Sequence, residues 1–402
     1  MNQPPTLPGI STPCTGCGLC AAVCPRQCIT MRESEEGFFV PVIDATACTL
    51  CGACNKICKR QEQLSACNQI CSCYKYIINN KEDRVSASSG GFCTQLSRTI
   101  IQRGGVVYGV TLTPDFRAEY IEICTEDELP LIRGSKYLHA DTTGCFQQIV
   151  KRIKEQKTVL FVGTSCQVRA LRTLLRQDTD LLITVDIACY GVPSYHCLDA
   201  YLREINEGND KLKHIQFKNK SRGWRNNSIC LTYQSGREII SPAGSNPFMQ
   251  AFDSQLCLNK ACYSCHRNIN ERYSDITCAD FWGHRDVNGD DSHLGISCII
   301  CHSRKGEKYI EELADSSTIT PIDSNEAIRN NGGLVTDINC IPPARKHFLQ
   351  LASNHPITPV VRRYMYSQGG RRLQFHILGF NIGLPETVYN ILRSVVRKLR
   401  KR

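Results

Sequence analysis

Two cysteine runs with the same internal spacing, Cys14-x2-Cys17-x2-Cys20-x3-Cys24 and Cys48-x2-Cys51-x2-Cys54-x3-Cys58, stand 34 residues apart and constrain this chain more than any other feature. Thiols two residues apart reach three irons of one cubane from a single turn. The fourth, three residues on, starts a short helix that carries it to the other cubane. The ligand sets therefore cross: Cys14, Cys17, Cys20 and Cys58 hold one [4Fe-4S] cluster (cluster I), and Cys48, Cys51, Cys54 and Cys24 hold a second (cluster II). Gly16, Gly18 and Gly52 fit loops whose backbone N–H groups point at sulfur. Zinc also takes Cys-x2-Cys pairs, but it needs two pairs rather than two matching foursomes. A zinc-stabilised interaction protein is accordingly the third-ranked reading. The string Gly16-x-Gly18-x-x-Ala21 imitates a dinucleotide loop, yet it lies inside the ligand run with no strand before it.

Cysteine makes up 26 of 402 residues, and the sequence does not open on a charged-then-apolar signal segment. The thiols are thus expected to be metal ligands in a reducing, cytoplasmic setting rather than disulfides. The net charge of +10 is local. Residues 341–402 hold twelve Lys and Arg against one acid, Glu386, so the preceding 340 residues sum to −1. That excludes a globally basic nucleic-acid binder. No apolar run has the length of a bilayer crossing.

The spacing divides the chain into a two-cluster module over 1–60, a linker over 61–84, an α/β body in two parts (85–175 and 176–340) and a basic tail over 341–402. The linker carries Cys67, Cys71 and Cys73, whose spacing matches no ligand run. In the body, Ser88-Ser89-Gly90-Gly91 precedes a helical pattern and the strand 106–110; small residues there suit either an anion site or an ordinary cap. Strand 158–162, helix 167–176, strand 181–187 and a helix capped by Ser194 imply a parallel pair. Cys166 and Cys189 then sit just past neighbouring carboxyl ends, where open α/β sheets place ligands. In the tail, Leu384-Pro385-Glu386 opens a predicted helix with the stripe Val388, Ile391, Leu392, Val395, Val396 and Leu399. Such a helix suits peripheral contact with an anionic inner membrane face, a partner's groove, or the chain's own body.

Cys257-x4-Cys262-x2-Cys265 has plant-type [2Fe-2S] spacing, and half a zinc site with His266 is equally compatible. A third [4Fe-4S] cluster on Cys166, Cys189, Cys262 and Cys265 is a further solution.

Residues 10–60 resemble bacterial-type two-[4Fe-4S] ferredoxin domains, with Lys59 in place of the proline that usually follows the last cysteine and Cys28 outside the pattern. More widely, the ordered segments Ser88–Gly91, Arg133–Tyr137, Gly163–Gln167, Cys189–Ser194, Lys218–Trp224 and Asp275–Gly283 make residues 10–340 similar to the family of coenzyme F420 hydrogenase/dehydrogenase beta subunits. The resemblance implies an FAD-binding mixed α/β domain behind the ferredoxin module and favours the third [4Fe-4S] cluster. It implies Ser88, Ser89, Gly90, Gly91, Gly134, Ser135, Lys136 and Tyr137 as flavin contacts, and it aligns Asp280 and Trp282 with an Asp-x-Trp segment. Ser165 stands where the family commonly has proline, and Tyr190 where it has histidine, which leaves the carrier open. Trp224 and Trp282, the two tryptophans, suit core positions equally well.

The expected function is a flavin and iron–sulfur oxidoreductase passing electrons between its clusters and an FAD-linked substrate or carrier. The alternative is an electron-transfer subunit that wires a partner enzyme to ferredoxin. Either implies a redox partner protein or soluble carrier and no nucleic acid. No catalytic residue is assigned.

Overall fold

The computed structural model describes residues 13–385 except 63, 65–69, 207, 209, 266–268, 270–271, 284–291, 330, 332–333, 335–339, 367–371 and 378–379. Each cysteine run feeds a helix, Leu19–Ala22 after the left-handed Gly18 and Ala53–Glu62 after Gly52. Between them, β1 (Ile29–Glu33) and β2 (Phe39–Ile43) pair antiparallel, Ile29 opposite Ile43.

The body is built on a nine-stranded mixed sheet in the order β14-β3-β13-β12-β8-β7-β4-β5-β6. Its strands are β3 (Ser72–Ile78), β4 (Val106–Leu112), β5 (Ala118–Ile123), β6 (Ala140–Asp141), β7 (Val159–Gly163), β8 (Leu182–Ile187), β12 (Ile276–Asp280), β13 (Ser297–Cys301) and β14 (Ser317–Ile322). Strands β4, β7, β8 and β12 run parallel to one another. The central strands read as apolar runs because both faces are covered. Alternate residues enter opposite layers: Val107, Leu160, Ile183 and Val185 meet Phe92, Leu96 and Ile100 on one side. On the other, Val106, Val159, Phe161 and Leu182 meet Phe146, Ile149, Val168 and Leu171, with Leu19 and Ile57 of the ferredoxin-type module.

The predicted alternation is present, with helix Ser165–Leu175 between β7 and β8 and helix Tyr195–Ile205 capped by Ser194, whose hydroxyl accepts the His196 N–H at 3.1 Å. Two expected boundaries are corrected. Residues 61–84 are not simply a linker: β3 lies inside the sheet between β13 and β14, and Asn80 caps a helix over Lys81–Ser86. Cys73, Tyr76 and Ile78 are buried there, while Lys75 pairs with Glu326 at 2.9 Å and lies over the Phe281 ring. Its polar residues find partners far along the chain, so the segment reads as polar without being loop.

The second correction is at residue 341. Helices Arg345–Asn354 and Ile357–Tyr366 bury Phe348, Leu349, Ala352, Ile357, Val360 and Val361 in a core shared with helix Tyr195–Ile205. Arg345 is itself buried, donating to the Leu258 carbonyl at 2.7 Å and pairing with Glu36 at 2.9 Å. That core also covers the three-stranded sheet of β9 (Leu212–Asn219), β10 (Ser228–Tyr233) and β11 (Glu238–Pro242). Strands β15 (Arg372–Ile377) and β16 (Phe380–Pro385) form a hairpin, so the start expected for the amphipathic helix, Leu384-Pro385, belongs to a strand. The rest of that helix lies outside the described residues. Among those described, no helix is long and apolar enough to cross a membrane.

Candidate functional site

Cys14, Cys17 and Cys58 all lie close enough to Cys20 to act on its thiol. Burial raises the Cys20 thiol, and the charges of Cys17, Cys14 and Cys58 raise it further. Gly16 donates its N–H to Cys14 Sγ at 3.3 Å. Gly16 and Gly18 are left-handed, and a Cβ on either would lie 2.2 Å from His139 Cε1 or 2.1 Å from Thr142 Oγ1. The ferredoxin-type module is thus docked on the body through the loop that carries Cys14, Cys17 and Cys20. The Thr142 hydroxyl adds a hydrogen bond to the Cys17 carbonyl at 2.9 Å.

The second foursome, Cys24, Cys48, Cys51 and Cys54, lines one cavity with Pro25, Arg26, Cys28, Ile29 and Ile43. Desolvation would raise the Cys24 thiol, but hydrogen bonds from the Cys28 N–H and thiol and from the Arg26 and Gln27 N–H groups bring it below its ordinary value. Several donors on one sulfur favour the thiolate that iron requires. Cys28 Sγ is 3.4 Å from Cys24 Sγ, so this ninth cysteine borders the pocket. Among the described residues no three His, Cys, Asp or Glu side chains are arranged to hold a single metal ion. A cubane is met at its corners rather than at a point, and the grouping of thiols in fours is what fits it.

Cys166 lies in the first turn of the helix Ser165–Leu175 that follows β7, Cys189 follows β8, and Cys262 lies on the short helix Lys260–Tyr263 with Cys265 beyond it. Burial drives the Cys166 thiol well up; the charges of Cys265, Cys189 and Cys262 add to this, and the Thr164 hydroxyl, 3.1 Å away, opposes it. Four mutually repelling sulfurs are the kind of charge that iron neutralises. Cys257 is buried and hydrogen-bonds Cys197 within the body's core. His266, the other candidate ligand there, lies outside the described residues. Between the first and third foursomes stands buried Gln61, 3.7 Å from Cys17 Sγ through Oε1 and 3.5 Å from the Cys166 carbonyl through Nε2.

The residues expected at a flavin divide into two groups. Ser88 Oγ accepts the Ser135 N–H at 2.7 Å and is 2.9 Å from Ser135 Oγ. Gly134 has φ 84° with open space where a Cβ would be. Lys136 Nζ donates to the Arg133 carbonyl at 2.9 Å, and burial lowers its pKa to about 7. These residues form an open polar corner. Ser89, Gly90 and Gly91 are committed to the chain instead. The Ser89 hydroxyl donates to the Ile296 carbonyl at 2.7 Å. A Cβ on Gly90 would lie 2.2 Å from the Tyr76 carbonyl oxygen, and one on Gly91 2.4 Å from Ile78 Cγ2. Both glycines answer to close packing on the sheet. Tyr137 packs edge-on to Phe252 at 5.3 Å and is raised by burial, with Asp280 and Asp253 adding to it.

Asp280, at the end of β12, accepts from Lys218 Nζ through both carboxylate oxygens, at 2.6 and 2.5 Å, and from the Trp224 Nε1–H at 2.9 Å. Trp224 is buried, whereas Trp282 is 37% exposed and stacks on it at 4.8 Å with an interplanar angle of 3°. Tyr190 is exposed and accepts from Gln255 Nε2 at 2.5 Å. Lys220 is buried and donates to the carbonyls of Arg84, Ser89 and Leu294, clamping the Ser88–Gly91 loop. The roles of Gln61, His139, Thr142, Lys218 and Lys220 have no counterpart in the sequence reading. For Gln61 a signal existed, since it lies one helical turn beyond Cys58.

A two-cluster module docked on a mixed α/β body, with further thiols at the sheet's carboxyl edge, defines an iron–sulfur protein of the oxidoreductase kind. Residues 13–61 match the 4Fe-4S dicluster domain, and residues 156–326 match the family described as the C-terminal part of the beta subunit of coenzyme F420 hydrogenase/dehydrogenase. The chain thus joins an N-terminal 4Fe-4S dicluster domain to a region that matches the C-terminal part of these beta subunits. It is similar to one of the subunits of the F(420)H(2) dehydrogenase of Methanosarcina mazei, at 22% identity over 213 residues. Those are 49% of this chain and 59% of that protein, so the chain spans about three fifths of its relative's length. A chain of the F420-reducing [NiFe] hydrogenase complex from Methanosarcina barkeri, solved as a xenon derivative, matches at TM-score 0.46 and 14% identity. That match covers 76% of this chain and 96% of the other.

Proposed function

We propose that this chain is a three-cluster flavoprotein that carries electrons between its dicluster module and an FAD held by the body, with a redox partner protein or soluble carrier at either end. The observation that carries this is the fourfold grouping of Cys166, Cys189, Cys262 and Cys265 beside the inward-facing cysteines of the module. Ser88, Gly134, Ser135 and Lys136 would hold the flavin; Lys136 has three donor hydrogens and one carbonyl acceptor in contact, which leaves donors for a phosphate or a reduced ring. When bound, a flavin accepts electrons in pairs and releases them singly. The protein's part is to fix that group near Cys166 and Cys189 and to keep two lysines, the half-buried Lys136 and the buried Lys220, close to it. The relative's name points to F420 as the carrier, and Tyr190 in place of the usual histidine makes the carrier a point to test.

Anaerobic purification followed by iron, sulfide and flavin analysis tests the proposal. Three cubanes give about twelve irons per chain, and Cys262→Ser should reduce this to about eight while retaining the dicluster signals. Wild-type protein with about eight irons would remove the third cluster, and protein that takes up no FAD would remove the flavin. Reduction of bound flavin by F420H2 without added protein supports an enzyme; reduction only with a partner present supports an electron-transfer subunit.

A further inference from the structure

The ferredoxin-type module is mounted asymmetrically. The loop of Cys14, Cys17 and Cys20 faces the body: His139 and Thr142 press on Gly16 and Gly18, Gln147 Nε2 reaches the Ala22 carbonyl at 3.3 Å, and Gln61 spans from Cys17 to Cys166. The other foursome faces away. Cys51 is exposed, and its cavity is rimmed by Arg26, whose side chain is exposed, and by Thr49. Next to it Leu50 is held in the left-handed region at φ 57° with its side chain 40% exposed, a conformation that costs a non-glycine residue about 1 kcal/mol or more.

Charge is sorted in the same sense. The module's Glu33 pairs with Arg117 of the body at 3.0 Å, and Glu36 pairs with Lys260 and Arg345, each at 2.9 Å. These carboxylates are committed to the docked side. On the outward side Arg26 and Lys56 are exposed, and Asp44, next to the cavity wall, is turned to the N–H and hydroxyl of Thr46 at 2.9 and 2.7 Å.

We infer that the Cys24, Cys48, Cys51 and Cys54 face is the port at which an acidic one-electron carrier protein docks, and that the Cys14, Cys17, Cys20 and Cys58 face is the internal gateway to Cys166. The apolar Leu50 supplies a small dry contact over the ligand loop, and Arg26 and Lys56 supply the attraction that steers an acidic partner. A single electron crosses at the port, with no bond formed or broken and no proton moved. This rests on the three-cluster reading above for the gateway half alone.

The test uses the anaerobic holoprotein and, as probe, a reduced acidic bacterial ferredoxin in stopped-flow at low ionic strength. Arg26→Glu combined with Lys56→Glu should slow second-order cluster bleaching at least tenfold, the difference vanishing in high salt, with iron content and cluster EPR signals unchanged. Lys151→Glu, at an exposed position of the body, should leave the rate as it is. Equal rates for the double variant and wild type, or an equal loss in Lys151→Glu, would overturn the port. The two readings separate cleanly. About eight irons per chain with the tenfold loss intact would end the three-cluster reading and keep the port. About twelve irons with no loss would do the reverse.

Discussion

Replacing Asp280 by Asn removes the counter-charge from a buried ammonium. Lys218 has a side chain 3% exposed, and both Asp280 oxygens stand within 2.6 Å of its Nζ. Stripping one partner from a buried pair costs about 3–5 kcal/mol, because the remaining charge is left without compensation. Asp280 keeps 21% of its side chain in contact with solvent, and Asn retains an oxygen for the Trp224 Nε1–H, so the cost should fall at the low end. The expectation is ~3 kcal/mol, a factor of ~10² in the unfolding equilibrium of the body. The assay is built in. Trp224 and Trp282 are the chain's two tryptophans and stack beside this pair, so their emission reports its local unfolding in urea. Asp280→Asn with Lys218→Met removes the orphaned ammonium and should recover at least half the loss. A single variant within about 1 kcal/mol of wild type, or a double variant as unstable as the single, would refute the reasoning.

Lys136 gives a pH prediction. Its pKa is lowered to about 7 in the flavin-free protein, and an anion beside it would raise that value, so binding takes up a proton above pH 7. FAD affinity should therefore be flat below pH 7 and fall as pH rises, by at most about tenfold per unit. Lys136→Gln should remove the slope, and a pH-independent affinity in wild type would contradict the assignment. Gln61 is a positioning residue in this scheme. Its amide stands between Cys17 Sγ and the Cys166 carbonyl, and Gln61→Leu should shift that cluster's midpoint potential in EPR-monitored titration at unchanged iron content. An unchanged midpoint would reduce Gln61 to packing. Gly18→Ala places a Cβ against Thr142 Oγ1 at a left-handed residue, and should loosen the docked loop, read as faster iron loss to a chelator; Gly52→Ala, with no atom within 4 Å of its Cβ position, should lose less.

What the sequence made legible was what local spacing controls. The crossed foursomes follow from x2-x2-x3 repeats, and Cys166 and Cys189 were placed at neighbouring strand ends because apolar runs bounded by Gly-Thr and Ala-Cys turns mark those ends. The misreadings are non-local. Strand β3 looked like a linker since Lys75 and Tyr74 sit among cysteines, yet their partners lie on β13, β14 and at Glu326. Gly90 and Gly91 resemble a phosphate loop in one dimension, and only the approach of Tyr76 and Ile78 shows that packing requires them. Lys218 and Lys220 occur in one short basic segment, but one answers a carboxylate and the other three carbonyls, a distinction that no spacing encodes.

The position of β3 also sets an order of events during synthesis. Tyr76 must pair with Ser297, about 220 residues later, so β3 cannot join its sheet until most of the body has left the ribosome. The module's cysteines, all within the first sixty residues, emerge long before that. At ordinary elongation rates the delay is about 10–50 s. In the early part of that interval, before His139 and Thr142 have been made, the cysteine loops are already complete while the surface that will cover Gly16 and Gly18 does not yet exist. Iron and sulfide therefore have a period of free access to the inward foursome, and docking of the His139–Thr142 segment is what ends it.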